Sequence, residues 1–179
     1  MLALCKNCRV QPSRVADNPA TDSAEVVDAL IVASRALVGV AARSLAGLPT
    51  DITLPQFRAL MVLATRGPQR MVDISNELAV NASTGTRMCD RLVAKGLVRR
   101  TRGTSDRRAV RLALSASGRA LVEEVNERRR IELAGIVSVL PRREHPNLVR
   151  ALRALAAATG EAAPDQWWLG WADVDDSGP

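Results

Sequence analysis

The stretch from Met71 to Leu114, MVDISNELAVNASTGTRMCDRLVAKGLVRRTRGTSDRRAVRLAL, decides how the rest of the chain is read. Its first part predicts a short helix over Val72–Ala79, with Ile74 and Leu78 turned inward. A tight turn follows at Val80 and Asn81. Asn81 suits the N-cap of a second helix that turns Met88 and Leu92 inward and stops at Gly96, a residue fitted to a left-handed C-cap. Two short helices joined by a few residues spell a helix-turn-helix. After Gly96 the period changes from helix to strand. Leu97–Arg102, a turn over Gly103–Asp106 and Ala109–Leu114 predict a hairpin, with Val110, Leu112 and Leu114 alternating against Ala109, Arg111 and Ala113.

Working outward, Thr53 and Gln56 form a capping box for a helix whose apolar face is Phe57, Leu60, Met61 and Ala64, ended by Gly67 and Pro68. Upstream, Asp22 and Glu25 cap a longer helix that carries Val27, Leu30, Ile31, Leu37, Val38, Ala41 and Leu45 at helical spacing as far as Gly47 and Pro49. Downstream, Ser115 and Gly118 open a helix through Leu121, Val125, Leu133, Ile136, Val137 and Leu140 to Pro141. One more helix runs over Arg142–Ala158 with Leu148, Leu152 and Leu155 in register. The chain divides into an N-terminal arm (1–20), a long helix (21–50), the helix-turn-helix with its hairpin (51–114), a helical pair (115–159) and an acidic tail (160–179). The tail contains all three tryptophans, Trp167, Trp168 and Trp171. The fold class that follows is mainly α with a small β-hairpin wing.

Charge is concentrated where the motif lies. The chain's formal net charge is +6, yet Asp51–Ala113 holds twelve basic residues against five acids, a local +7 that leaves the remainder at −1. A basic cluster confined to a helix-turn-helix and its hairpin is the footprint of duplex DNA binding. With Met88 and Leu92 inward, Ser83, Thr84, Arg87 and Arg91 share the outer face of the second helix at spacings of three and four. They are the expected groove readers: hydroxyls for phosphates or base edges, guanidiniums for guanine or phosphate. The hairpin adds Arg99, Arg100, Arg102, Arg107, Arg108 and Arg111, whose mutual repulsion disfavours the strand pair unless phosphates neutralise it. A tip arginine suits a narrow minor groove. Asp106 is read as orienting a neighbouring arginine.

Other classes find little support. No apolar run approaches the roughly 20 residues that cross a bilayer, and the first residues lack a signal-peptide core, so a soluble cytoplasmic protein without membrane partners is expected. One histidine, no nucleophile motif and no phosphate-cradling glycine loop leave an enzyme without machinery, and no cofactor is expected. Cys5 and Cys8 form a CxxC pair, but a structural zinc site needs four ligands and only Cys89 and His145 remain, both distant, so no metal site is assigned.

Residues 53–120 resemble the winged helix-turn-helix of the MarR family of bacterial transcription regulators. The resemblance rests on Thr53-x-x-Gln56-Phe57, Asp90-Arg91-Leu92, Lys95-Gly96-Leu97-Val98, Asp106-Arg107-Arg108-Ala109, Leu114 and Gly118-Arg119, and extends over about residues 22–159 with the flanking helices. It implies a homodimer held by its N- and C-terminal helices, here 21–50 and 115–159, on a pseudo-palindromic operator. Recognition helices would occupy successive major grooves and wings the flanking minor grooves, with a repressor as the expected sign of control. It also implies release by a small lipophilic or aromatic effector, for which Leu37, Ala41, Phe57 and Leu60 are the candidate lining residues. Two alternatives stand beside it: a dimeric winged helix that binds proteins without reading sequence, and a redox sensor acting through Cys89. The chain departs from the family at Gly85, where an apolar residue is usual; a mid-helix glycine costs up to about 1 kcal/mol and predicts a locally loosened recognition helix. Residues 1–21 and the tail after Gly160 have no family counterpart.

Overall fold

The computed structural model describes residues 23–102 and 110–161. Two compact units separate at Ala36 and Leu37. In the first, residues 23–36 form the beginning of helix α1 (Ser23–Leu45), with Val26, Val27, Leu30 and Ile31 exposed. The Asp22 cap lies outside the described residues.

In the second unit, α2 (Leu54–Arg66) begins with the capping box read from the sequence. Gln56 N donates to Thr53 Oγ1 at 3.4 Å, and the Gln56 side chain accepts from Thr53 N at 3.1 Å. This helix is the spine of the core. Phe57, Ala59, Leu60, Leu63 and Ala64 are buried and cluster with Ile74, Met88, Cys89, Leu92, Leu97, Val98, Leu112, Leu114, Leu121, Val122 and Val125. Truncating a side chain such as Leu60, which is 0% exposed, to Ala should cost about 2–5 kcal/mol.

Helices α3 (Met71–Glu77) and α4 (Ala82–Ala94) form the helix-turn-helix. Between them Ala79 takes a positive φ of 52°, and Val80 N donates to Ser75 O at 3.0 Å, so the reversal is made by an alanine in a conformation glycine usually fills. Gly85 is buried in α4, and its missing side chain lets α4 approach Ser75 closely. After the C-cap Lys95, Gly96 turns the chain at φ 70° into β2 (Val98–Arg102), which pairs antiparallel with β3 (Val110–Leu114) in the register Val98↔Leu114 to Arg102↔Val110. A third strand, β1 (Gln69–Arg70), pairs with β3 on its other edge, giving the order β1-β3-β2. The expected alternation on β3 holds for Leu112 and Leu114. Val110 is exposed because it lies at the open end of the wing, beyond the core, and Ala113 is buried on the opposite side from the main cluster.

Helix α5 (Ala116–Ser138) starts at Ser115, whose Oγ accepts from Gly118 N at 3.0 Å, and Leu121, Val122 and Val125 enter the core. Toward its end Ile131, Ile136 and Val137 are exposed, with Leu133 half-buried. The last helical stretch begins as a 3-10 turn (Arg142–Glu144) before α6 (His145–Ala158), where Val149, Leu152 and Leu155 are exposed as well. No helix among the described residues is long and apolar enough to cross a membrane.

Candidate nucleic-acid interface

The N-terminus of α4 is organised by Asn81, whose side-chain oxygen accepts from Thr84 N at 2.8 Å and from the Ser83 hydroxyl at 2.9 Å. That cap satisfies one orphan amide and leaves the positive end of the helix facing solvent. Arg87 folds back along the helix, donating from Nε to Ser83 O at 3.2 Å and from Nη2 to Ser83 Oγ at 3.4 Å. Arg91 has no hydrogen-bond or ion-pair partner among the described residues. Ser83, Thr84, Arg87 and Arg91 are all exposed on one face, opposite the buried Met88, Cys89 and Leu92.

A polar recess of about 270 Å³ lies beside this face, lined by Thr53, Gln56, Thr84, Arg87, Met88 and Arg91. It joins the N-terminal end of α2 to the recognition helix, a juxtaposition that the sequence reading missed. The local pattern around Thr53 and Gln56 signals only a cap and does not show which distant helix stands next to them.

The wing arginines are used in different ways. Arg100 on β2 donates from Nη2 to Asp90 Oδ1 of α4 at 2.7 Å, tying wing to recognition helix. Arg111 on β3 is half-buried and donates from Nη1 to Pro68 O at 3.4 Å, on the β1 side of the sheet. Its neighbour across the strand pair, Arg70, grips Asp73 through two bonds of 2.9 Å, and this hydrogen-bonded pairing holds the Asp73 carboxyl below its ordinary range. Asp106, Arg107 and Arg108, and the side chain of Arg102, lie outside the described residues.

A second, more apolar recess of about 350 Å³ is enclosed by α1, α2 and α5 with the end of α6. Leu37, Ala41 and Phe57 line it, together with Val38, Leu54 and Met61. Leu60 does not. It points to the other side of α2 and is wholly buried in the core. Three arginines border the recess. Arg58 pairs with Glu161 and Arg66 with Glu77, each at 2.6 Å. Arg129 instead lies over the Phe57 ring at 5.4 Å with its buried Nε unpartnered, and burial lowers its pKa from the ordinary value. Among the described residues no group of His, Cys, Asp and Glu could hold a metal ion.

The sequence model of the MarR family matches residues 52–110, from the start of α2 to the return strand of the wing. Among solved structures the chain is similar to RV1404 from Mycobacterium tuberculosis, at 41% identity and TM-score 0.73, covering 81% of this chain and 99% of that one. It is also similar to a MarR family protein from Bacillus stearothermophilus, at 31% identity and TM-score 0.69, covering 77% and 95%. The chain belongs to the MarR family. As in other MarR transcriptional regulators, the fold is mostly helical with a three-stranded antiparallel wing. A curated MarR relative, the multiple antibiotic resistance protein of Salmonella typhimurium, is 35% identical over 80 residues, 45% of this chain and 56% of that protein. The match therefore spans about half of that regulator's length.

Proposed function

We propose that this MarR-family regulator is a cytoplasmic repressor that binds a pseudo-palindromic duplex operator as a homodimer, with α4 in the major groove and the wing along the flanking minor groove. The carrying observation is the outer face of α4. Four donor side chains, Ser83 and Thr84 in the first turn and Arg87 and Arg91 further along, stand exposed on one face of the helix, and neither guanidinium is neutralised by a carboxylate among the described residues. Arg87 and Arg91 are suited to phosphate or guanine, and the recess shared with Thr53 and Gln56 can admit a phosphate next to the α2 N-terminus. Arg100, Arg102, Arg107 and Arg108 supply the wing's positive charge, with Asp106 among them. Arg111 adds to it from β3.

Self-association is supported by the exposed apolar residues on the end of α5 and on α6, since such surface gains about 25 cal/mol per Å² when covered. The apolar recess around Phe57 is the proposed seat of a small lipophilic or aromatic effector.

Selection of bound sequences from random duplexes tests the reading. It should recover an inverted repeat with half-sites about one helical turn, roughly 34 Å, apart. Recovery of no consensus would instead favour a winged helix that binds proteins.

A further inference from the structure

Glu161, the last described residue, stands at the mouth of the apolar recess. Gly160, at φ 70°, ends α6, with Glu161 N donating to Ala156 O at 3.0 Å and Gly160 N to Ala157 O at 3.2 Å, a cap that fixes the direction in which the chain departs. Both residues line the recess, and the Glu161 carboxylate accepts from Arg58. The segment that follows, 162–179, lies outside the described residues. It holds all three tryptophans and four aspartates, and no lysine or arginine.

We propose that the tail segment around Trp167 and Trp168 docks into the recess of its own chain, one indole filling the apolar space beside Phe57 and Arg129 and the neighbouring aspartates facing the recess arginines.

Reach, chemistry and charge agree on this occupant. Trp167 is six residues past Glu161, a span of up to about 20 Å when extended, and the starting point is already a wall of the recess. An indole is the best aromatic partner for a cation, and Arg129 stands at the recess without a carboxylate partner among the described residues. The tail is acidic, and the recess keeps a net positive charge, because Glu161 and Glu77 pair with Arg58 and Arg66 and leave Arg129 unmatched. A short tether gives the tail an effective concentration on the order of millimolar, so docking needs only modest intrinsic affinity. If the recess also takes an effector, a consequence that rests on the function proposed above, the tail is its built-in competitor.

The chain reports on this directly, because the only tryptophans are in the tail and there is no tyrosine. Tryptophan emission and acrylamide quenching of the full chain should be compared with those of a peptide of residues 162–179. Docking predicts bluer emission and weaker quenching in the full chain at every protein concentration. It also predicts a shift toward the peptide in Leu54→Asp, which places a carboxylate in the recess at a helix position that tolerates one, and in Arg58→Glu. Arg58→Glu combined with Glu161→Arg should regain protection. Quenching equal to the peptide's, protection unmoved by both single variants, or protection lost on dilution would overturn the proposal. Circular dichroism melts check that the variants fold. Neither DNA nor effector is present, so the outcome stands apart from the effector reading.

Discussion

Gly85 of α4 lies so close to Ser75 of α3 that a β-carbon on it would stand 2.0 Å from Ser75 Oγ and 3.0 Å from Ser75 Cβ. The Ser75 hydroxyl is held there by donating to Met71 O at 2.9 Å. Two effects of opposite sign therefore meet at Gly85→Ala. Helix propensity gains up to about 1 kcal/mol, while overpacking costs about 1–3 kcal/mol. Overpacking should win, because even a rotated Ser75 leaves its Cβ too near. The variant is expected to lose about 1 kcal/mol in urea melts and to weaken DNA binding by tilting α4, whereas Ser75→Gly with Gly85→Ala should recover both.

Ala79 carries the opposite prediction. Its φ of 52° is costly for any residue with a β-carbon, and its amide donates to Asn76 O at 3.0 Å, so the conformation is locked by the turn. Ala79→Gly should stabilise the protein by about 0.5 kcal/mol, the relief of strain exceeding the added entropy of the unfolded chain. A lower urea midpoint would show that the turn is not strained.

The Arg100–Asp90 pair is exposed on both sides, so breaking it should cost no more than about 1 kcal/mol of stability. Its consequence should be on DNA instead. Asp90→Asn removes a negative charge from the binding face, which favours any duplex, and frees the wing from α4, which harms the selected one. Competition binding should show a smaller ratio of specific to random affinity, with random-duplex affinity itself raised.

Burial pushes the Cys89 thiol up to about 11, and the neighbouring Asp90 adds to the rise. The thiol is 1% exposed and packs in the core, so it should resist iodoacetamide in the folded protein, and DNA affinity should survive mild peroxide. The pH dependence follows in sign. Below about pH 8 the thiol is protonated in both states and contributes no slope; above that the unfolded chain releases the proton first, so stability falls toward pH 11 by on the order of 2 kcal/mol. Cys89→Ala should lack that component when its alkaline melts are compared with wild type.

What could be read from the chain beforehand was local. Thr53 with Gln56, Asn81 before Thr84, Ser115 before Gly118 and Gly96 after α4 are caps written within a few residues, and each is present. Strand β1 escaped because two residues have no period and take their meaning from Leu112 and Arg111 across the sheet. The turn at Ala79 escaped because alanine gives no sign of a positive φ. Within the site, the outer face of α4 followed from helical spacing. Its proximity to Thr53 and Gln56, the bond from Arg111 to Pro68, the burial of Leu60 and the close contact at Gly85 all depend on partners far away in sequence.

The claim that α4 presents its arginines to duplex DNA is tested most directly by the salt dependence of binding to the selected duplex, measured for wild type and for Arg87→Ala with Arg91→Ala. Contact with about 6 to 10 phosphates by a dimer predicts a loss of roughly 10³ to 10⁵ in affinity between about 50 and 200 mM salt. Each phosphate contact removed should flatten the log–log slope by about 0.9. A shallow wild-type slope, or a double variant that binds with the same slope and affinity, would contradict the account.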